Sequence, residues 1–376
     1  MKILLDPQIF YQQTYGGISR YYTEVFSVLS KKKDVEIILP IYNSDNSYLK
    51  ETDLAAKNKS LHLLYRVLSF FRISTRSLRK RKSDQLLDAK FQENDYDVVV
   101  PTYYNPYFLD KINGKPFVLT VYDMIHELLP EYFIDDEFRV VERKELLLHK
   151  ATRIIAVSHN TKKDILKVYP HINPDKIVVV YHGTSIKIDN EVKVALPENY
   201  ILYVGARPHY KNFKFLVRSI VPLLKKDSSL MLIAAGGGKF SEEELAWLKS
   251  LGINRQVVQK RFEENELGHF YKQAKCFVLP SLYEGFGIPV VEAMACGCPI
   301  ILSTHGSLPE IAGDAGIYFN SESEDDLKEK IEELINNSEL RAKYADKGLR
   351  HVTRYDWNAA AEQCLQVYKD AANANY

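Results

Sequence analysis

The sequence predicts an α/β protein made of two doubly wound, Rossmann-like parallel sheets facing each other across a cleft. Three observations carry that expectation. Short, nearly continuous apolar runs alternate with helical stretches along the chain, the pattern of parallel strands covered on both faces. The chain opens twice in the same way, with KILL, a loop and RYYTEVFSVLSKKK at its start, then YILYVGA, a loop and KFLVRSIVPLLKK from residue 200. Its 376 residues, 46% of them hydrophobic, also exceed what a single core usually serves.

Each element follows from its local pattern. KILL, DVEIILPIY, DVVVP, FVLTVYD, RIIAVS and KIVVVYHG are β-branched, apolar runs of strand length in the first half. YILYVGA, SLMLIAAG, QVVQ, CFVLPS, PIILS and GIYF repeat the pattern in the second. The helical stretches after KILL and YILYVGA both end in lysines, which suit a helix C-terminus. TSIKIDNEVKVALPEN is polar and aperiodic, so it reads as the linker. The expected division is a first domain over 1–186, a second over 187–355, and an Ala-rich terminal helix within 356–376.

Composition removes several classes of function. Fifty basic against forty-nine acidic residues, a formal charge of +1, argue against a surface built for nucleic acid. Four scattered cysteines make no disulfide framework, and Cys296-x-Cys298 lacks the second pair or nearby histidines of a zinc site. MKILLDPQIF has no long apolar signal region, and no run of eighteen apolar residues occurs, so a cytoplasmic protein is expected. Residues 57–82 combine Leu61, Leu64, Tyr65, Leu68 and Phe71 at helical spacing with a basic end, Arg79 to Lys82. That stretch reads as a helix resting on an anionic membrane surface or meeting an acceptor, with a packed helix and solvated end as the alternative.

In open parallel sheets ligands bind beyond the carboxyl ends of the strands. SLYEGFGIPVVEAMACGCPI places Glu284, Gly285, Phe286 and Gly287 in such a loop and Glu292 in the first turns of the next helix. Free N–H groups there suit hydroxyl or phosphate oxygens, and a carboxylate can accept two hydrogen bonds from a diol. Arg207 and Lys211 follow YILYVGA, and two cations at a helix start suit a diphosphate. Gly16 and Gly17 form the matching loop of the first half, without the GxGxxG spacing of a dinucleotide site. Asp123 ends a strand, and His126 lies in the following turn, either to meet sugar hydroxyls or as a structural histidine. Asp95-Tyr96-Asp97 precedes the strand DVVVP, at the end away from ligands, and reads as turn chemistry instead of a metal pair.

Together these residues resemble the retaining glycosyltransferases of family 4, which have the GT-B fold. Glu284 through Glu292 looks like that family's E-x7-E motif, supported by VGARPHYKN, YGGISRY, AVSHNTKKDIL, VVYHG and SLPEIAGDAG. The resemblance implies transfer of a sugar from a nucleoside-diphosphate sugar to a glycan or lipid-linked acceptor in polysaccharide assembly, without metal or other cofactor. It implies that Glu292 holds the ribose, Glu284 and the Gly285–Gly287 backbone hold the sugar, and Arg207 with Lys211 holds the diphosphate, with Gly16 and Gly17 completing the phosphate side. It also implies that the terminal helix crosses back to the first domain. Many relatives carry His-Asp where this chain has Tyr122-Asp123, which leaves His126 as a candidate replacement. Alternatives on the same architecture are a nucleotide-sugar epimerase or a glycan phosphorylase, and outside catalysis a two-domain sugar-binding protein.

Overall fold

The computed structural model describes residues 1–54, 76–134, 139–207 and 209–374. In the first half, β1 (Lys2–Leu5), β2 (Glu36–Ile38) and β3 (Val98–Val100) form one parallel sheet in the order β2-β1-β3. Strands β4 (Val118–Val121), β5 (Arg153–Ala156) and β6 (Ile177–Val179) form another, joined to the first by a parallel bridge between Val99 and Phe117. The second half is a single parallel sheet of β7 (Tyr200–Val204), β8 (Met231–Ala235), β9 (Val257–Lys260), β10 (Cys276–Leu279), β11 (Ile300–Ser303) and β12 (Gly316–Phe319), in the order β12-β11-β10-β7-β8-β9. Every strand falls within a run that the apolar pattern anticipates, except that β9 extends one residue past QVVQ, to Lys260. Residues such as Leu4, Val99, Ile155, Leu202 and Val278 are completely buried, as a strand covered on both faces requires.

The order of strands fixes where ligands can enter. Beside β1, and again beside β7, the chain reverses the direction in which it adds strands, and a crevice opens beyond the carboxyl ends there. In the second half that crevice lies between β7 and β10, the two strands that precede Lys211 and Glu284.

The helices that bear on the site are α1 (Gly17–Leu29), α2 (Ser47–Lys50), α3 (Arg76–Glu93), α4 (Val140–Lys150), α5 (His159–Val168), α6 (Phe213–Lys226), α7 (Glu242–Ser250), α8 (Leu267–Gln273), α9 (Ile288–Ala295), α10 (Leu308–Ala312) and α11 (Trp357–Ala372). The terminal helix, α11, packs on α1 of the first half. Phe26 and Tyr368 stack with ring centroids 6.0 Å apart, and the Tyr21 hydroxyl lies 3.3 Å from Cys364 Sγ. Its first residue sits against Gly183, where a Cβ would come within 2.4 Å of the Trp357 nitrogen.

Most of the basic stretch 57–82 lies outside the described residues. Of its end, Arg79 makes a two-pronged bond to Asp45 at 2.9 and 2.7 Å, and Lys82 lies 4.1 Å from the Tyr42 ring centroid. Asp95 and Asp97 are at the amino edge of the first sheet, where Lys2 Nζ meets Asp95 at 2.5 Å and the Lys2 backbone N–H donates to Asp97 at 2.7 Å. Both carboxylates fasten the start of β1.

Candidate active site

The loop after β10 is held by contacts within the protein. The Glu284 carbonyl accepts from both the backbone N–H and the hydroxyl of Ser307, each at 3.0 Å. Gly306, at φ 60°, lets the chain pass so close that a Cβ would sit 2.5 Å from that carbonyl. Gly287, at φ 90°, turns the chain into α9, with Pro289 at a position that tolerates its missing N–H. The Glu284 carboxylate is thereby held in the crevice, accepting from Ser281 Oγ and Lys211 Nζ, both at 2.7 Å.

Lys211 reaches that carboxylate from the loop after β7, where Asn212 in a left-handed conformation starts α6. Its ammonium also lies 4.9 Å from the Tyr210 ring centroid. Burial disfavours the charge, but Glu284 and Tyr210 outweigh it and hold the Lys211 pKa above the ordinary lysine value.

Arg207 is placed differently. Its guanidinium donates to Glu244 at 2.8 and 3.2 Å and to the carbonyls of Gly238 and Lys239, both at 3.0 Å, and it lies over the Phe240 ring. It braces the Gly236–Gly238 turn against α7 instead of standing beside Lys211 with its donors turned to the cleft.

Glu292, in α9, is buried, and its two oxygens are engaged by Arg20 Nη1 at 2.5 Å and the Tyr271 hydroxyl at 3.1 Å. The structure therefore brings Lys211, Glu284 and the Gly285–Gly287 turn together and sets Glu292 on the adjoining helix. Phe286 contributes backbone to this turn, because its ring is buried among His182, Tyr355 and Tyr181.

The first half closes the other side. Gly17 opens α1, and a Cβ there would lie 3.3 Å from Ile288 at the start of α9, while Gly16 precedes it as the helix cap. Gly285 fits beneath the Tyr122 carbonyl, where a Cβ would come within 1.8 Å, and its own carbonyl accepts from Ser158 Oγ at 2.7 Å and Thr161 Oγ1 at 3.2 Å. Glu310 of α10 accepts from the first N–H groups of α5, those of His159 at 2.7 Å and Asn160 at 2.8 Å. Such a carboxylate complements a helix N-terminus.

Asp123 stands at this junction, accepting from the Ile125 N–H at 3.2 Å, and its charge reaches Lys211 and Tyr210. Its carbonyl is held at 3.1 Å by Lys144, a fully buried amine paired with Glu127 at 2.9 Å. Tyr122 is buried among Tyr21, Tyr22 and Tyr104 and offers no ring to the cleft. His126 packs on Phe133 at 4.2 Å, and that ring is 6.0 Å from Tyr210, beside Lys211.

Arg20, Tyr271 and the Lys144–Glu127 pair escape a reading based on motifs. A signal for Arg20 was available: it lies three residues after the glycine pair and sits on the apolar face of α1 among Tyr21, Tyr22 and Val25, where an arginine needs a partner.

Two parallel-sheet domains meeting over this crevice define a GT-B glycosyltransferase. Residues 15–187 match the model described as Glycosyltransferase Family 4, and residues 185–351 match Glycosyl transferases group 1. Together the two models span residues 15–351, and the chain is a family 4-like glycosyltransferase. It is 26% identical to O-antigen chain mannosyltransferase B of Escherichia coli over 94% of this chain and 96% of that protein. A Campylobacter jejuni N-acetylgalactosaminyltransferase acting on a diphospho-undecaprenol-linked sugar is 24% identical over 93% of this chain and 95% of its own. Among solved structures, sucrose-phosphate synthase from Thermosynechococcus elongatus has a TM-score of 0.73 at 18% identity, covering 98% of each chain. Anabaena HepE in complex with UDP and glucose has a TM-score of 0.70 at 17% identity, covering 98% of this chain and 99% of that one.

Proposed function

We propose that this glycosyltransferase moves a sugar from a nucleoside-diphosphate donor, with retention at the anomeric carbon, to a glycan or lipid-linked acceptor in surface-polysaccharide assembly. The observation that carries this reading is the Lys211–Glu284 pair, 2.7 Å apart, beside the Gly285–Gly287 turn at the crevice between β7 and β10. On it, Glu284 grips the transferred sugar's hydroxyls, Lys211 and the N–H groups opening α9 receive the charge of the leaving diphosphate, and Glu292 takes the ribose diol. Arg207 acts indirectly, by holding the Gly236–Gly238 turn. Neither Glu284 nor Asp123 is assigned as a covalent nucleophile. The acceptor attacks the face that the diphosphate leaves, and the leaving phosphate takes the acceptor's proton.

The acceptor site on this reading is the cavity of about 840 Å³ beyond β1 and β3, lined by Asp6, Gln8, Tyr11, Tyr103 and Tyr107 among others. Aromatic faces beside amide and carboxyl groups suit a sugar. Asp6, whose pKa burial raises to about 6, accepts from the Tyr107 hydroxyl at 2.8 Å. The names of the relatives in Escherichia coli and Campylobacter jejuni support a glycan or lipid-linked acceptor. No described helix is long and apolar enough to cross a membrane. Peripheral attachment at the inner face of the cell membrane, through the basic stretch 57–82, belongs to the same proposal, as does the division of domains at residues 186 and 355.

The test is release of nucleoside diphosphate from a panel of nucleotide sugars, with and without polyprenyl-diphosphate sugar acceptors, in excess EDTA. Acceptor-dependent release that survives EDTA supports the reading. Release that needs added magnesium or manganese overturns the metal-free site, and interconversion of the donor sugar without release favours an epimerase.

A further inference from the structure

Glu292 is a carboxylate of the second half whose counter-ion comes from the first. Arg20 of α1 meets it at 2.5 Å, with the two side chains only 8% and 5% exposed. Arg20 also donates to Ser185 Oγ at 3.1 Å, lies 3.4 Å from Glu264 and 3.9 Å from Glu24, and has the Tyr48 ring centroid 5.8 Å away. These groups border a cavity of about 1060 Å³ between the halves, with Arg20 and Tyr48 on one side and Glu263 and Glu264 on the other.

We propose that Arg20 is a positioning residue for the donor nucleoside: it keeps Glu292 ionised and aimed, so the ribose acceptor is complete only while the two halves are closed on each other. This rests on the reading of Glu292 as the ribose acceptor. An ionised carboxylate offers about four lone-pair directions. Arg20 uses one on Oε1 and Tyr271 one on Oε2, which leaves an acceptor on each oxygen for the two hydroxyls of a vicinal diol. A protonated carboxyl turns one oxygen into a donor and loses its charge, so it no longer offers each hydroxyl a charged acceptor.

Whether Glu292 stays ionised is a contest among the groups facing it. Burial pushes its pKa up and prevails, holding it above the ordinary glutamate value, while Arg20 of α1 and the Tyr271 hydroxyl of α8 pull it down and Glu264, in the loop after β9, pushes it up. Tyr48 of α2 and Cys296 at the end of α9 also lie within its field. Arg20 is the nearest cation and the only one of these groups that carries a positive charge. Because it belongs to the first half, separating the halves takes away the cation that aims Glu292 and favours its charge.

The test is calorimetric titration of the full-length protein with UDP, GDP and ADP at about pH 7 and at a series of higher pH values, since rising pH favours the charged form of a buried carboxyl. For the diphosphate that wild type binds best, Arg20→Gln is expected to weaken affinity by about tenfold at pH 7, the size of one lost charge-assisted bond. The ratio of mutant to wild-type affinity should recover as pH rises, because base then ionises Glu292 without Arg20. Arg20→Lys, which keeps the charge, should lie between the two. Glu264→Gln removes a carboxylate that competes for Arg20 and should bind no more weakly than wild type. A pH-independent loss in Arg20→Gln, or unchanged affinity, overturns the proposal. If melting shows that Arg20→Gln does not fold, Glu264→Gln decides, and weaker binding by it overturns the proposal equally. Wild-type protein that binds none of the three diphosphates overturns the transferase reading itself, which the wild-type titration reveals before any variant is compared.

Discussion

Replacing Lys211 with methionine removes one charge from the crevice while keeping most of the side chain's volume. Its ammonium is 2.7 Å from Glu284, with the two side chains 22% and 13% exposed. Opposite charges about 4 Å apart attract by about 4 kcal/mol at an effective dielectric of 20, but desolvation and contact with water reduce the net value of a partly exposed pair to about 1 kcal/mol. The substitution should therefore cost little stability, a fall in melting temperature of about 1–2 °C for a chain of this size. Its effect on turnover should be much larger. A preorganised donor facing charge that develops in the transition state is worth about 2.7–4 kcal/mol, so kcat should fall about a hundredfold to a thousandfold. Initial rates with the donor that wild type uses, alongside thermal melting, separate the two effects. A kcat within threefold of wild type would refute the assignment of Lys211 to the leaving group. A large loss of melting temperature with proportionate loss of activity would make the pair structural.

Three further outcomes are expected. Glu292→Gln should weaken free nucleoside diphosphate and intact donor alike, whereas Glu284→Gln should leave the free diphosphate almost unaffected and slow transfer by more than about tenfold; equal effects of both on calorimetric binding of the diphosphate would refute that division. Arg207→Met strands Glu244 and two loop carbonyls, so it should cost about 3 kcal/mol of stability in denaturant unfolding and raise the KM for donor, and wild-type unfolding would place Arg207 outside the scaffold. His182 is buried against Tyr21 and Phe286, and burial lowers its pKa to about 3. The unfolded chain then binds a proton below about pH 6.5 that the native state refuses, so stability should fall as pH drops from there, by up to about 1.4 kcal/mol per unit. His182→Phe should flatten that limb in melting scans between about pH 6.5 and pH 5, and an unchanged slope would assign it to other groups.

Much of the fold is legible in the sequence because parallel strands announce themselves. Runs such as DVVVP and CFVLPS are buried on both faces, so their composition is nearly all apolar and their ends are sharp. Glu284 and Lys211 are legible for a related reason, since the strand-to-helix loops that hold them follow those runs directly. What could not be read is which of two cations reaches the crevice. Arg207 and Lys211 are four residues apart and chemically alike as a pair, and only the position of Glu244, thirty-seven residues further on, draws one of them away. Tyr122 is a similar case: the aromatic cluster of Tyr21, Tyr22 and Tyr104 that takes its ring is assembled from two separate segments. Arg20 was visible as a cation on an apolar helix face, but its partner lies 272 residues away in the other half.

The distribution of contacts between the halves bears on how the enzyme works. Gly17 against Ile288, Gly285 beneath Tyr122, Glu310 on the first N–H groups of α5, Tyr283 donating to Asp164 at 2.7 Å and Arg20 on Glu292 all lie at the strand ends that form the crevice. The groups expected to bind donor are the same groups, or near neighbours of the groups, that join the two halves. A ligand can shift the balance between open and closed forms only by its difference in affinity for them. Here that difference is built into the site, since opening removes Arg20 from Glu292 and Tyr122 from Gly285 at once. Donor binding and closure are therefore expected to be a single linked equilibrium, in which a substitution on the first half, far from the sugar in sequence, changes affinity for a nucleotide held by the second.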